Sequence, residues 1–178
     1  MPSASGLEAW GNFYLVTSAA AATLVGLLFV VLTLAADRMP LSETKRIRLY
    51  MTPSVFQLAL VLVLAAVLTF PTQSRLSATL SCGVIGGTGL IYALLVLRGG
   101  VRGHSFRELS DMSKYALLPG AAYITVVIGG TLITALPTPQ VGCTCVASGV
   151  LGLIVLAIRN SWSVAVSVVS FRGRDDQS

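Results

Sequence analysis

Five apolar segments constrain this chain more than any other feature of its sequence. A helix that crosses a bilayer needs about 20 mostly apolar residues, and each segment comes near that length. Because lipid offers no hydrogen-bond partner to the backbone, each segment is predicted to be an α-helix. Charged residues make up only 11% of the chain, against about a quarter in a soluble domain. The sequence therefore predicts an all-α polytopic membrane protein, a bundle of five transmembrane helices with short loops and a single domain over residues 1–178. The predicted spans are about 10–36, 53–70, 76–97, 115–136 and 142–158, with an apolar continuation of the last to about 170.

The basic residues lie almost entirely on one side of these segments. Of the twelve lysines and arginines, four fall in the loop at 37–52, four in the loop at 98–114 and three after residue 158, whereas Arg75 is alone on the other side. Because positively charged loops stay in the cytoplasm, we expect a multi-pass protein of the plasma or bacterial inner membrane, with its amino terminus outside and its carboxyl terminus in the cytoplasm. The expected partners are the lipid bilayer and its anionic headgroups at the cytoplasmic face. Nucleic acid is not expected, because the basic residues form topological clusters between apolar segments.

Small residues form stripes along three of the predicted helices. In lipid, helices associate through close packing of small side chains. Such stripes pack within one chain, join copies of the chain or line a cavity, and the sequence leaves these alternatives open. In the third segment Cys82, Gly86 and Gly89 form a second small face beside a Gly-x-x-x-Gly pair. The candidate packing or pore-lining residues are Asn12, Thr23, Gly26, Thr33, Gly83, Gly87, Gly149 and Gly152.

A polar pair, Arg159 and Asn160, follows the last predicted span. A helix over 142–158 covers about 25 Å, slightly less than the ~30 Å hydrocarbon core. Arg159 is therefore expected near the cytoplasmic interface with its side chain extended toward the headgroups, and Trp162 is expected as an interfacial anchor. The alternative is an interfacial ion pair between Arg159 and Asp37, which lies at a matching depth. Asn160 is a candidate for a polar contact with a neighbouring helix.

Residues that support catalysis or ion coupling are missing from the apolar segments. No Asp, Glu, Lys, Arg or His lies in the middle of any segment, whereas proton- and ion-coupled carriers use such groups. The sequence has no nucleophile–base pair, zinc motif or phosphate loop. We therefore expect no enzyme activity, catalytic residue, cofactor or metal site. Cys82, Cys143 and Cys145 fall near the outer ends of their segments, where small-residue packing and a disulfide to Cys82 are both open.

The chain resembles a known family in three stretches. These are WGNFYLVTSAAAATLVGLLFVVLTLA from residue 10, LVLAAVLTFP from residue 62 and LAIRNSWSV from residue 156. Together they resemble small, uncharacterised bacterial multi-pass integral membrane proteins, some of which carry the label of modulators of the FtsH membrane protease. Ser161 stands where the family ending has Ala. The resemblance implies a multi-span fold and assigns no activity or catalytic residue.

Two functions from different classes are consistent with these features. The leading one is a non-enzymatic regulatory or interaction role, exerted through helix–helix contacts, including possible self-association, or through the cytoplasmic basic surface. The alternative is a small homo-oligomeric ion channel or passive pore lined by the small residues and hydroxyls. The two differ in whether water reaches the stripe at positions 23, 26, 30 and 33.

Overall fold

The described part of the chain consists of α-helices. The computed structural model describes residues 6–36, 41–71, 73–102 and 117–175, and the side-chain surroundings within 6–33, 53–71, 73–98 and 117–162. No strand occurs in these ranges, so the predicted all-α class is confirmed. A short 3-10 helix, Glu8–Trp10, leads into the first long helix. The helices are α1 (Gly11–Ala36), α2 (Leu41–Leu68), α3 (Arg75–Arg102), α4 (Leu118–Ala135) and α5 (Gln140–Asp175).

Three helices extend beyond their predicted apolar segments toward one end of the bundle. Helix α2 begins at Leu41 and continues through Pro53, where the predicted span begins. Proline removes one backbone hydrogen bond from a helix interior, but the helix does not end there. Helix α3 runs on to Arg102, and α5 runs through the predicted continuation to Asp175. The basic residues near these ends therefore lie on helical backbone.

Side chains cap the helices at the opposite end of the bundle. The hydroxyl of Ser74 accepts the backbone N–H of Ser77 at 3.1 Å, at the start of α3. The guanidinium of Arg75 donates to the carbonyl of Leu136 at 3.3 Å and to that of Pro137 at 3.1 Å. A helix leaves its last carbonyls without backbone partners, so Arg75 stabilises the end of α4 from the neighbouring helix.

Four of the helices surround a common centre, and the fifth lies outside it. Helix α4 packs between α3 and α5, while α2 completes the ring by contacting both α3 and α5. Helix α1 packs mainly on α2 and only along its edge on α5. The centre of the ring is filled by large apolar side chains, including Val61, Leu64, Val126 and Leu153. Helix α1 is therefore peripheral and leaves much of its surface uncovered.

Glycines bring the three helices α3, α4 and α5 into close contact. A Cβ atom at Gly129 of α4 would stand 2.7 Å from the backbone nitrogen of Val146 in α5. One at the next residue, Gly130, would collide with the Cβ of Cys82 in α3. Gly142 of α5 has the reciprocal role, since its Cβ would be 2.6 Å from the backbone nitrogen of Ile133. The adjacent pair Gly129 and Gly130 thus allows α4 to approach a different helix on each side.

The length and apolarity of the helices indicate a membrane location. Four described helical segments are long and apolar enough to cross a membrane: Glu8–Thr33, Arg75–Arg98, Leu118–Ala135 and Gln140–Trp162. The apolar part of α2, Pro53–Leu68, is shorter. At 1.5 Å per residue it covers about 24 Å, less than the ~30 Å hydrocarbon core. A helical membrane bundle follows from these lengths, and the count of five spans stays a prediction.

Candidate functional site

The small-residue stripe of α1 faces away from the rest of the chain. Asn12, Thr23, Gly26 and Thr33 are all exposed on the surface of the bundle. No atom lies within 4 Å of the position that a Cβ would take at Gly26. The hydroxyl of Thr23 donates to the carbonyl of Ala19, and that of Thr33 to the carbonyl of Val30, both within α1. These residues therefore lie on the exposed side of α1, and the two threonine hydroxyls are satisfied within the helix.

Helix α3 has two small faces with different surroundings. On one face, a Cβ at Gly86 would stand 2.8 Å from Cγ2 of Val127, and a Cβ at Gly89 would collide with the ring of Tyr123. This face is covered by α4. On the other face, nothing lies within 4 Å of the Cβ positions of Gly83 and Gly87. Within the described part of the chain, the Gly-x-x-x-Gly pair therefore has open space where side chains would stand.

The predicted small residues of α5 lie inside the bundle. A Cβ at Gly149 would stand 2.8 Å from Cγ2 of Val126 and 2.9 Å from the carbonyl oxygen of Ala122, both in α4. At Gly152 the contact is looser, with the Cβ of Ala122 at 3.8 Å. The structure thus divides the predicted set: the two glycines of α5 meet α4, whereas the residues of α1 and the glycine pair of α3 lie outside.

Buried polar side chains join α2 and α5. The amide nitrogen of Gln57 donates to the carbonyl oxygen of Leu153 at 2.7 Å, and Gln57 is only 4% exposed. One turn earlier in α2, Ser54 is 1% exposed, and its hydroxyl finds no hydrogen-bond partner among the described residues. On α5, Asn160 is 6% exposed. Sequence reasoning singled out Asn160 and missed Ser54 and Gln57, although a glutamine inside the apolar run PSVFQLALVL is a visible signal.

Arg159 and Trp162 lie close in sequence to the buried Asn160 but are exposed. Arg159 is exposed on the surface of α5, and Trp162 is 72% exposed. The interfacial environment expected for both residues stays a prediction, because exposure does not fix their depth in a membrane. Asp37 lies outside the described residues, so the ion pair between Arg159 and Asp37 stays a prediction.

A groove opens between the peripheral helix and the ring. Its volume is about 210 Å³. By contrast, the cavity at the centre of the ring, lined by residues of α2, α3, α4 and α5 such as Ile85 and Tyr123, measures about 10 Å³. A cavity of that size corresponds to about one water molecule. The side chains that line the groove include Leu27, Leu28 and Val31 of α1, Leu58 of α2, and Ile158 and Trp162 of α5.

The cysteines lie toward the end of the bundle that carries Arg75. All three are free, with Cys82 and Cys143 completely buried and Cys145 partly exposed. Cys82 and Cys143 belong to the same buried cluster as Tyr14, whose hydroxyl has no hydrogen-bond partner. Nearby, the hydroxyl of Thr79 donates to the carbonyl of Gly130 at 2.6 Å and so links α3 to α4. Among the described residues, no three His, Cys, Asp or Glu side chains group as metal ligands.

Comparison with protein-family models, with curated proteins and with solved structures finds no match to this chain.

Proposed function

We propose that the chain is a five-span protein of the plasma or inner membrane, with its amino terminus outside and its carboxyl terminus in the cytoplasm. The position of α2 supports its role as the fifth span. It packs against α1, α3 and α5, and its residues Leu58, Val61 and Leu64 are almost completely buried. A helix enclosed in this way shares the membrane with its neighbours. The distribution of basic residues supports the orientation.

Within the membrane, the proposed function is a non-enzymatic interaction made by the outer face of α3, with a second copy of the chain as the partner. The open Gly83–Gly87 pair carries this proposal. The neighbouring glycines Gly86 and Gly89 already pack against α4, whereas open space lies at the Cβ positions of the outer pair. A Gly-x-x-x-Gly pair lets two helix backbones approach closely, and exposed Leu80 and Val84 provide the flanking contact surface.

A resemblance to small bacterial membrane proteins, some labelled as modulators of the FtsH protease, favours the same kind of role. The cytoplasmic basic surface belongs to this proposal as a second contact region, toward anionic headgroups. Neither contact requires a catalytic residue or a cofactor.

A homo-oligomeric channel or passive pore is less well supported. A file of water does not fit the cavity of about 10 Å³ at the centre of the ring. A pore would therefore have to form between copies, with the exposed stripe of α1 around it. The hydroxyls of Thr23 and Thr33 already donate within α1. Cysteines introduced at 23, 26, 30 and 33 would all react with a water-soluble reagent if a pore existed, and would be protected in a lipid-facing helix.

Energy transfer between labelled copies tests the α3 contact. Full-length chains carrying a donor or an acceptor at the carboxyl terminus are mixed in lipid vesicles at increasing protein-to-lipid ratio. We expect transfer that depends on this ratio, and a shift of about fivefold to higher ratio in Gly83→Ile and Gly87→Ile variants, since such contacts contribute on the order of 1 kcal/mol.

Gly26→Ile is the matched control, because Gly26 is equally open but lies on α1. It should leave the transfer curve unchanged. An absence of transfer in the unmodified chain, or equal curves for all variants, would reject self-association through α3.

A further inference from the structure

We propose that the groove between α1, α2 and α5 binds one acyl chain of an anionic phospholipid, whose phosphate is held by Arg159. Among the described residues, the groove is lined by apolar side chains such as Leu28, Val31 and Leu58, together with the hydroxyl of Ser161. The hydroxyl proton of Ser161 is engaged by the carbonyl of Ala157 at 2.7 Å. These described side chains therefore offer dispersion contacts to a hydrocarbon, and the free donor among them is the indole N–H of Trp162.

The mouth of the groove supplies a cation for the headgroup. Trp162 lines the groove, and Arg159 lies three residues earlier on α5. Residues three apart are neighbours on a helix surface, so Arg159 is adjacent to the groove residue Trp162 on the exposed surface of α5. Arginine matches the geometry of phosphate oxygens with several donors. Tryptophan is enriched at the depth of the headgroups, where its ring contacts hydrocarbon and its N–H meets polar groups.

The positive charge near the groove favours an anionic lipid over a second copy of the chain as the molecule that occupies it. The exposed cations Arg98 and Arg159 both lie toward the end of the bundle where α3 and α5 extend past their apolar segments. A second copy would bring the same positive end to this depth, and the net charge of each chain is +5. An anionic lipid brings the opposite charge together with a chain that the groove fits. The proposal requires the membrane location and is independent of the α3 contact.

Quenching of a single tryptophan by brominated lipids tests the site. The chain contains two tryptophans, and Trp10 lies in the 3-10 helix before α1, far from the groove residue Trp162 in the bundle. The Trp10→Phe variant therefore has Trp162 as its single tryptophan. This full-length variant is placed in phosphatidylcholine vesicles that contain increasing fractions of brominated phosphatidylglycerol or of brominated phosphatidylcholine. We expect half-maximal quenching at an about fivefold lower fraction of the anionic lipid, as one basic residue near the surface confers.

Two pairs of variants separate the headgroup contact from the chain contact. Arg159→Gln should abolish the preference for phosphatidylglycerol, whereas Arg98→Gln, which removes an equally exposed charge on α3, should preserve it. Val31→Phe adds volume inside the groove and should weaken quenching by both lipids. Val30→Phe, on the exposed side of the same helix, should leave it unchanged. In all four, energy transfer between copies should match the unmodified chain, so failure here and failure of the α3 contact are distinguishable.

Several outcomes overturn the proposal. Equal quenching by the two lipids rejects the phosphate contact, and so does an equal loss of preference in the two arginine variants. Equal behaviour of Val31→Phe and Val30→Phe rejects occupation of the groove. If Arg159→Gln fails to insert, salt supplies the same test on the Trp10→Phe chain, because the screening length falls from about 30 Å at 0.01 M to about 3 Å at 1 M. A preference that survives high salt unchanged would contradict the ion contact.

Discussion

The glycines between α4 and α5 and the glycines on the outer surface look alike in the sequence and have opposite surroundings. At Gly129 and Gly142, backbone atoms of the facing helix lie within 3 Å of the position that a Cβ would take. At Gly26 and Gly83, no atom lies within 4 Å. The first pair holds α4 against α5, whereas the second pair faces open space among the described residues. A small residue in a membrane helix therefore marks a possible contact without saying whether the partner is in the same chain.

The largest expected effect on stability comes from adding a side chain at Gly129, where α4 and α5 are in close contact. Gly129→Ala forces a methyl group against the backbone of α5 and should lower the free energy of unfolding by about 2 kcal/mol, in the range of overpacked interiors. The measurement is unfolding of the chain in mixed micelles by a denaturing detergent.

Gly83→Ala is the matched control for that substitution. It enters open space and should leave stability unchanged or raise it by up to about 1 kcal/mol, because alanine favours the helix over glycine. Equal destabilisation by both substitutions would contradict the conclusion that Gly129 lies in a close helix contact and Gly83 faces open space.

A smaller effect is expected where α2 meets α5. Gln57→Met keeps most of the side-chain volume and removes the hydrogen bond to the Leu153 carbonyl, so the free energy of unfolding should fall by about 1 kcal/mol, as found for polar contacts between membrane helices. Ser148→Ala serves as the control, because that exposed hydroxyl bonds only to Cys145 of its own helix. The same unfolding assay applies, and a Gln57→Met variant as stable as Ser148→Ala would show that this bond contributes nothing to the packing of α2.

The smallest expected effect is the difference in unfolding free energy between two threonine-to-valine variants. Thr79→Val removes a hydroxyl that donates from α3 to the Gly130 carbonyl of α4 and should cost about 0.6 kcal/mol. Thr23→Val removes a hydroxyl that bonds within α1 and should change stability by less than about 0.5 kcal/mol. Both are isosteric, so thermal unfolding of the two variants in one detergent is a direct comparison. If Thr23→Val proved the more damaging, α1 would not be the peripheral helix that its exposure indicates.

Much of the fold follows from apolar length and helix-ending residues. The first predicted segment, about 10–36, corresponds to α1, Gly11–Ala36, and the predicted continuation of the last segment to about 170 lies within α5, Gln140–Asp175. These agree because lipid allows few alternatives to a helix for an apolar run of that length. The predicted second span, about 53–70, matches the apolar helix Pro53–Leu68, which is the later part of a longer helix that begins at Leu41.

The direction in which each helix faces could not be predicted in the same way. A soluble helix shows its inner side through apolar periodicity, but a membrane helix is apolar on all sides. The face with Gly86 and the face with Gly83 are therefore equivalent in the sequence, and only the position of α4 separates them. The groove beside Trp162 depends on three helices together, so no local pattern indicates it. Gln57, in contrast, could have been singled out, because a buried amide in lipid needs a partner.

The continuity of α5 has a mechanical consequence. Its 36 residues form a rod of about 54 Å at 1.5 Å per residue, so about 24 Å cannot fit within a hydrocarbon layer of ~30 Å. If that excess projects as a single arm, a tilt of 10° within the bundle displaces its tip sideways by about 4 Å. A small tilt of α5 where it packs against the other helices would therefore produce a larger displacement at its carboxyl-terminal end.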